Sequence, residues 1–214
     1  KKMKLDALST QNKILQLRQK LAEKATETSR LYIVLLLVML GVIVLWLLRL
    51  KHSQLRFRRL ARHDGLTEVF NRQHFLDETE RTLQRLHKTG SNACLVMLDL
   101  DHFKQVNDNY GHAAGDKVLQ RTVATCRGEL RGSDVFGRLG GEEFGILMPA
   151  CSPEQGLEIA SRIRSVVAAM VIELEPGTSV TVSASFGLAC SDHSGYVLGQ
   201  LFSDADAALY RAKS

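Results

Sequence analysis

The 214-residue chain carries a formal net charge of +5 and has room for one ordinary domain with accessory helices. Residues 1–62 hold 14 Lys and Arg against 3 Asp and Glu, whereas residues 63–214 hold 14 against 20, so the larger part lacks the basic footprint of a nucleic-acid polymer binder. Cys94, Cys126, Cys151 and Cys190 form no CxxC pair, which argues against a zinc ribbon or redox dithiol and predicts buried free thiols in a reducing compartment.

The chain begins Lys1-Lys2-Met3, as a piece of a longer protein would. Residues 4–30 read as a polar helix without Gly or Pro, with Ile14, Leu17 and Leu21 at helical spacing. A coiled coil and a solvated juxtamembrane helix both fit that pattern. Residues 31–48, LYIVLLLVMLGVIVLWLL, contain no charge over 18 positions. As a helix this run spans about 27 Å, close to a bilayer core, and predicts a transmembrane helix over residues 31–50. Arg30 and Arg49 bracket it, and Tyr32 and Trp46 stand near its ends as interface aromatics do. Arg49, Lys51, Arg56, Arg58 and Arg59 outnumber Lys20, Lys24 and Arg30, which places the C-terminal side in the cytoplasm. Residues 51–63 predict a short coiled coil, because Leu50, Ser53, Phe57 and Leu60 fall on heptad positions. Such a helix pairs with a second copy and makes the protein a homodimer anchored in the lipid bilayer.

From residue 64 to 214 the composition is that of a globular domain. Residues 67–90 read as a helix with Phe75, Leu76, Leu83 and Leu86 inward and Gly90 ending it. Residues 93–101, ACLVMLDLD, have strand length and apolarity. Residues 115–132 are helical, with Val118, Leu119, Val123, Cys126 and Leu130 inward. Residues 133–138 and 143–149 form two strands joined at Gly140-Gly141, a hairpin. Residues 152–170 make a helix with Ser152 as N-cap and Pro153 in its first turn. Residues 179–189 alternate like a strand, and 201–213 form a last helix. Strands separated by helices give an α/β fold, and the hairpin makes the central sheet mixed, with flanking helices.

Two features resist a purely structural explanation. The strand at 93–101 ends in Asp99-Leu100-Asp101, and a carboxylate there costs several kcal/mol unless paired. Asp101 can cap the following turn; Asp99 has no such role. The hairpin turn carries Glu142 and Glu143 in RLGGEEFG. If strand end and turn lie side by side, Asp99 faces a glutamate, and two close carboxylates need a cation between them. All-oxygen donors fit Mg2+ or Mn2+ together with substrate phosphates. Gly140 and Gly141 would let a phosphate or base approach the backbone, or are simply turn residues. Between these carboxylates, Lys104 can reach phosphate, while Asn107 and Asp116 together offer the donors and acceptors that read a guanine edge. No GxxxxGK[ST] loop is present.

HDGLT (63–67), DLDHFKQVNDNYGHAAGD (99–116), RLGGEEF (138–144), VSASFG (182–187) and DADAALYRAK (204–213) resemble, in order, the motifs of GGDEF-domain diguanylate cyclases. The resemblance covers residues 64–213 and implies a fold similar to nucleotide-cyclase and polymerase palms. It implies that Asp99, the Leu100 carbonyl and Glu142 hold Mg2+ or Mn2+, with Glu143 assisting. Asn107 and Asp116 would bind guanine, with His112, Phe103, Gly140 and Gly141 lining the substrate site. Lys104 would stabilise the phosphates, Lys213 would contact them from the last helix, and Glu142 would serve as base. The implied reaction condenses two GTP into cyclic di-GMP in a bacterial inner-membrane protein with a cytoplasmic catalytic domain.

Arg131 and Asp134 match the family's RxxD product-inhibition site, which Arg162 would supplement; a local Arg–Asp surface pair is the other reading. Glu68 and Phe70 replace the family's Gly and Pro in the loop after HDGLT, a change expected to touch no ligand. The chain ends at Ser214, before the family's Gly-Arg-Asn, so one phosphate-binding arginine falls outside it. A module that binds GTP or cyclic di-GMP without catalysis is the alternative function.

Overall fold

The computed structural model describes residues 24, 30, 32–33, 35–47, 49 and 62–214. The chain divides into two compact units, Lys1–Arg58 and Arg59–Ser214. In the first, the described residues are helical and exposed, including Leu36, Leu45 and Trp46. Among the described residues no helix is long and apolar enough to cross a membrane. Residues 31, 34, 48 and 50 of the expected span lie outside that set, as do the heptad positions Leu50, Ser53, Phe57 and Leu60 and all but Lys24 and Arg30 of the helix expected over 4–30.

The second unit is built on a five-stranded mixed sheet. Its strands are β1 (Phe70–Asn71), β2 (Ala93–Leu100), β3 (Val135–Gly140), β4 (Glu143–Pro149) and β7 (Ala184–Cys190), in the order β1-β3-β4-β2-β7. Only β1 and β3 run parallel. A separate ribbon pairs β5 (Val171–Glu175) with β6 (Thr178–Thr181). The helices are α1 (Arg72–Thr89), α2 (Phe103–Tyr110), α3 (His112–Gly128), α4 (Pro153–Ala168), the one-turn α5 (Ser191–Ser194) and α6 (Leu198–Lys213).

Every residue of β2 is buried. Leu98 and Leu100 belong to a core shared with α2, α3 and α4, through Phe103, Val118 and Ile163. Leu95 and Met97 face Phe75 and Leu83 of α1 and Leu201, Ala205 and Leu209 of α6. Helices on both faces explain why this strand is a continuous apolar run rather than an alternating one.

Local chemistry sets the helix ends. Helix α4 starts as its sequence predicts, with Ser152 and Gln155 forming a reciprocal capping box and Pro153 in the first turn. Helix α1 starts at Arg72, not residue 67, because the Asn71 side chain accepts the His74 N–H and ends the preceding segment as a short strand. Gly90 closes it in a left-handed conformation. Four elements escaped the sequence pattern: β1, α2, β5 and α5. The strand expected over 179–189 is two strands, β6 and β7, which belong to different sheets.

The thiol expectation is corrected for two of the four cysteines. Cys94 and Cys190 are directly opposite in the β2/β7 register and form a disulfide, with Cα atoms 4.1 Å apart. Cys126 and Cys151 are free and buried, and burial pushes the Cys126 thiol up to about 12.

Candidate active site

The antiparallel register of β2 and β4 sets Asp99 opposite Glu143. One step further the Leu100 N–H donates to the Glu142 carbonyl at 3.4 Å. The strand end and the Gly-Gly turn therefore lie side by side. Asp99, Leu100, Phe103, Lys104, Glu142 and Lys213 line one cavity of about 460 Å³, as do Asp101, Ser183 and Ser185. Asp99 is 7% exposed. Lys213, in the last turn of α6, donates from Nζ to Asp99 Oδ1 at 2.7 Å.

Alpha-helix α6 reaches this position because it packs against β7 at closest range. A Cβ on Gly187 would lie 2.1 Å from the Ala205 carbonyl oxygen and 2.4 Å from the Leu209 nitrogen. Only glycine admits that approach.

The start of α2 is set by a sharp turn. His102 takes a left-handed φ of 55°, a conformation that costs a non-glycine residue about 1 kcal/mol. It turns the chain between Asp101 and Phe103. Asp101 does not cap this turn. Its carboxylate accepts the hydroxyls of Ser183 at 2.6 Å and Ser185 at 2.7 Å, and its N–H donates to the Ser183 carbonyl. That clamp ties the end of β2 to the start of β7 beside the cavity. The sequence carried its signal, serines two apart in VSASFG facing a strand-end aspartate, but only the register pairs them.

The proposed base-reading residues lie next to this cavity rather than in it. Asn107 on α2 rests against α3, its Oδ1 at 2.0 Å from where a Gly115 Cβ would be. Asp116 follows Gly115 on the exposed side of α3. Phe103 joins the two regions: it lines the cavity, and its ring lies 3.1 Å from the same Gly115 position. His112, the first residue of α3, is exposed and outside the cavity lining, as are Gly140 at the end of β3 and Gly141, which turns with φ 47°.

Glu143 diverges from Glu142. It lines a second cavity of about 370 Å³ with Arg72, Met97, Phe202 and Asp206. Glu142 belongs to the turn and Glu143 begins β4, and the paired glutamates line different cavities.

Arg138, which the sequence reading passed over, holds the Gly-Gly turn. Its Nε donates to the Gly141 carbonyl at 2.9 Å and its Nη1 to Asp64 Oδ1 at 3.1 Å. Asp64 also accepts the Thr67 N–H at 2.9 Å and hydroxyl at 2.6 Å. Burial works to raise the Asp64 pKa, but the bonds from Thr67 and Arg138 outweigh it and hold the carboxyl below its ordinary value. The HDGLT stretch is thereby tied to the turn that carries Glu142.

Arg131 and Asp134 border a cavity of about 310 Å³ with His63, Arg127 and Phe136. The Asp134 carboxylate accepts the Arg131 backbone N–H at 2.8 Å, which leaves the guanidinium out of that pair. Arg162 does not join them: Glu129 binds its guanidinium through both carboxylate and carbonyl. Glu68 and Phe70, expected to touch no ligand, line this same cavity. Glu68 holds a left-handed φ of 59°, and its carbonyl accepts from Arg127 at 2.6 Å.

Asp99, Glu142 and the Leu100 carbonyl suit a hard divalent cation. Among the described residues no group of three or more His, Cys, Asp or Glu could hold a metal by itself. Two carboxylates and a carbonyl leave coordination positions for water and phosphate oxygens, the usual arrangement for Mg2+ in nucleotide sites.

A family model described as "Diguanylate cyclase, GGDEF domain" matches residues 61–214. The chain is 40% identical over 164 residues to diguanylate cyclase DgcP of Pseudomonas aeruginosa, covering 76% of this chain and 24% of that protein. It spans less than half the length of the other curated relatives compared, from 14% to 44%. The GGDEF domain of TpbB (YfiN) from Pseudomonas aeruginosa superposes with a TM-score of 0.68 at 38% identity, covering 71% of this chain and 88% of that one. The GGDEF domain of DgcB from Caulobacter crescentus, solved in complex with c-di-GMP, gives 0.68 at 30% identity, covering 72% and 88%. The chain therefore belongs to the diguanylate cyclase GGDEF-domain family.

Proposed function

We propose that this chain condenses two GTP molecules into cyclic di-GMP and releases two pyrophosphates. The observation that carries the reading is the shared cavity of Asp99, Leu100, Glu142, Lys104 and Lys213, with Phe103 leading to Asn107 and Asp116. Similarity to proteins named diguanylate cyclases supports it.

In this reading Asp99, the Leu100 carbonyl and Glu142 hold Mg2+ or Mn2+, with Glu143 assisting from its place opposite Asp99 in the sheet. When bound, the ion neutralises charge on the attacking and leaving oxygens. Asn107 donates its amide to the guanine O6/N7 edge, and Asp116 accepts from N1–H and N2–H. Lys104 and Lys213 donate to phosphate oxygens. Glu142 takes the proton of the 3′-hydroxyl. The freed oxygen forms a bond to the α-phosphorus of the second GTP as the bond to pyrophosphate breaks. Placement of the two reactants supplies much of the acceleration.

One domain presents one such cavity, so the reaction needs a second copy. The heptad pattern at 50–60 supports a homodimer, and the uncharged run at 31–48 with its flanking basic residues supports a single-pass inner-membrane anchor with the domain in the cytoplasm. The cavity beside Arg131 and Asp134 supports a product site for cyclic di-GMP; Arg127 rather than Arg162 is the second arginine at hand.

Purified chain incubated with GTP and Mg2+ should release pyrophosphate, and Glu142→Gln should abolish release. Full turnover by the variant would contradict the role of Glu142. Nucleotide binding by the unaltered chain without pyrophosphate release would make it a binding module instead.

A further inference from the structure

Asp99 is the last residue but one of a strand whose other seven residues are apolar, and it is buried. An ionised carboxylate there needs a cation. The protein already supplies one: Lys213 Nζ sits 2.7 Å from Asp99 Oδ1. Among the described residues this is the only ion pair made by either group. The two partners differ in exposure, with 10% of the Asp99 side chain exposed and 40% of that of Lys213. The carboxylate is fixed by the sheet, whereas the ammonium ends a flexible four-carbon stem on the last turn of a helix.

We propose that Lys213 is a tethered placeholder that occupies Asp99 until a divalent cation and a nucleoside triphosphate arrive together. This rests on the assignment of Asp99 as a metal ligand. A cation entering alone must displace the ammonium and strand it beside a second positive charge, so the metal binds weakly without nucleotide. A triphosphate in the same cavity offers the displaced ammonium new acceptors within reach of its stem. Lys213 is then a positioning residue that couples the two ligands. By linkage, nucleotide strengthens metal binding by the factor with which metal strengthens nucleotide binding. The domain thereby commits its cation only when substrate is present.

The test is Mn2+ binding to the full chain, followed by the electron paramagnetic resonance signal of the free ion. Titrations are run without nucleotide and with saturating α,β-methylene GTP, with a protein-free titration correcting for ion held by nucleotide alone. Lys213→Met keeps the stem and removes the charge. It should bind Mn2+ about tenfold more tightly than the unaltered chain when nucleotide is absent, and the strengthening by nucleotide should shrink to match. Lys213→Gln, isosteric in part and polar, should behave alike and carries the test should the Met variant not fold. Variants of native circular dichroism that bind Mn2+ no more tightly than the unaltered chain would overturn the proposal. Asp99→Asn separates this from the metal assignment itself. If it removes Mn2+ binding while the Lys213 variants change nothing, only the placeholder role falls. If it leaves Mn2+ binding intact, the metal site is elsewhere and both fall.

Discussion

A methyl group on Gly115 would lie 2.0 Å from Asn107 Oδ1 and 3.1 Å from the Phe103 ring. Gly115→Ala should therefore push the Asn107 amide from its place without touching the carboxylates. The expected result is a KM for GTP raised on the order of tenfold, the loss of one polar contact to the base, with little change in thermal stability. An unchanged KM would remove Asn107 from base recognition. Asp64 makes a separate prediction. Its folded-state pKa lies below the ordinary 3.8, with burial outweighed by the Thr67 and Arg138 bonds. The folded protein thus binds this proton less readily than the unfolded chain. The stabilisation is fully present above about pH 4 and is lost as pH falls through the folded-state value. Asp64→Asn should melt at lower temperature at pH 7 and show a flatter decline of Tm with acid than the unaltered chain. Asp64 sits in a polar loop, RHDGLT, whereas Asp99 stands between two leucines. One is satisfied by its own loop and an arginine, the other only by the distant Lys213, and that difference lies in the tertiary pairing.

Among the elements, α6 is the one whose placement decides the site, because it carries Lys213 to Asp99. Gly187→Ala would set a methyl against the Ala205 carbonyl and the Leu209 amide, both backbone and unable to give way. The expected cost is about 1–3 kcal/mol of unfolding free energy, read by denaturant melts. Strands and helices with strong periodicity or caps were legible: β2, β4, α4 and α6 stand where the pattern put them. Helix α2 was not, because FKQVNDNY buries only Phe103 and Val106, too few apolar residues to show a period. The β5/β6 ribbon was hidden by the alternation that continues from Thr178 into β7. Pro176-Gly177, a turn dipeptide between two short alternating runs, was the available signal. The strand-end aspartate and the Gly-Gly turn could be read as chemistry from residue types alone. Which glutamate shares the cavity with Asp99 was not legible: the register pairs Asp99 with Glu143, and it is the turn before β4 that brings Glu142 into the lining.

Across the whole molecule, pairings between distant segments are what spacing does not disclose. Cys94 and Cys190 are 96 residues apart and meet only because β7 takes the sheet edge beside β2. The same edge position brings Ser183 and Ser185 to Asp101. In the proposed reaction the cavity would hold one of two substrates, so turnover would belong to a pair of chains. Specific activity should rise with protein concentration until dimers saturate; a rate strictly proportional to concentration over the whole range would count against the dimer. The central claim is more local: Asp99 and Glu142 meet at the strand end to hold a divalent ion against the phosphates of a guanine nucleotide. Anomalous scattering from crystals grown with Mn2+ and α,β-methylene GTP tests it most directly. A manganese peak between Asp99 and Glu142, in contact with the nucleotide's phosphates, is the predicted result. Bound nucleotide with its manganese away from both carboxylates would contradict the account.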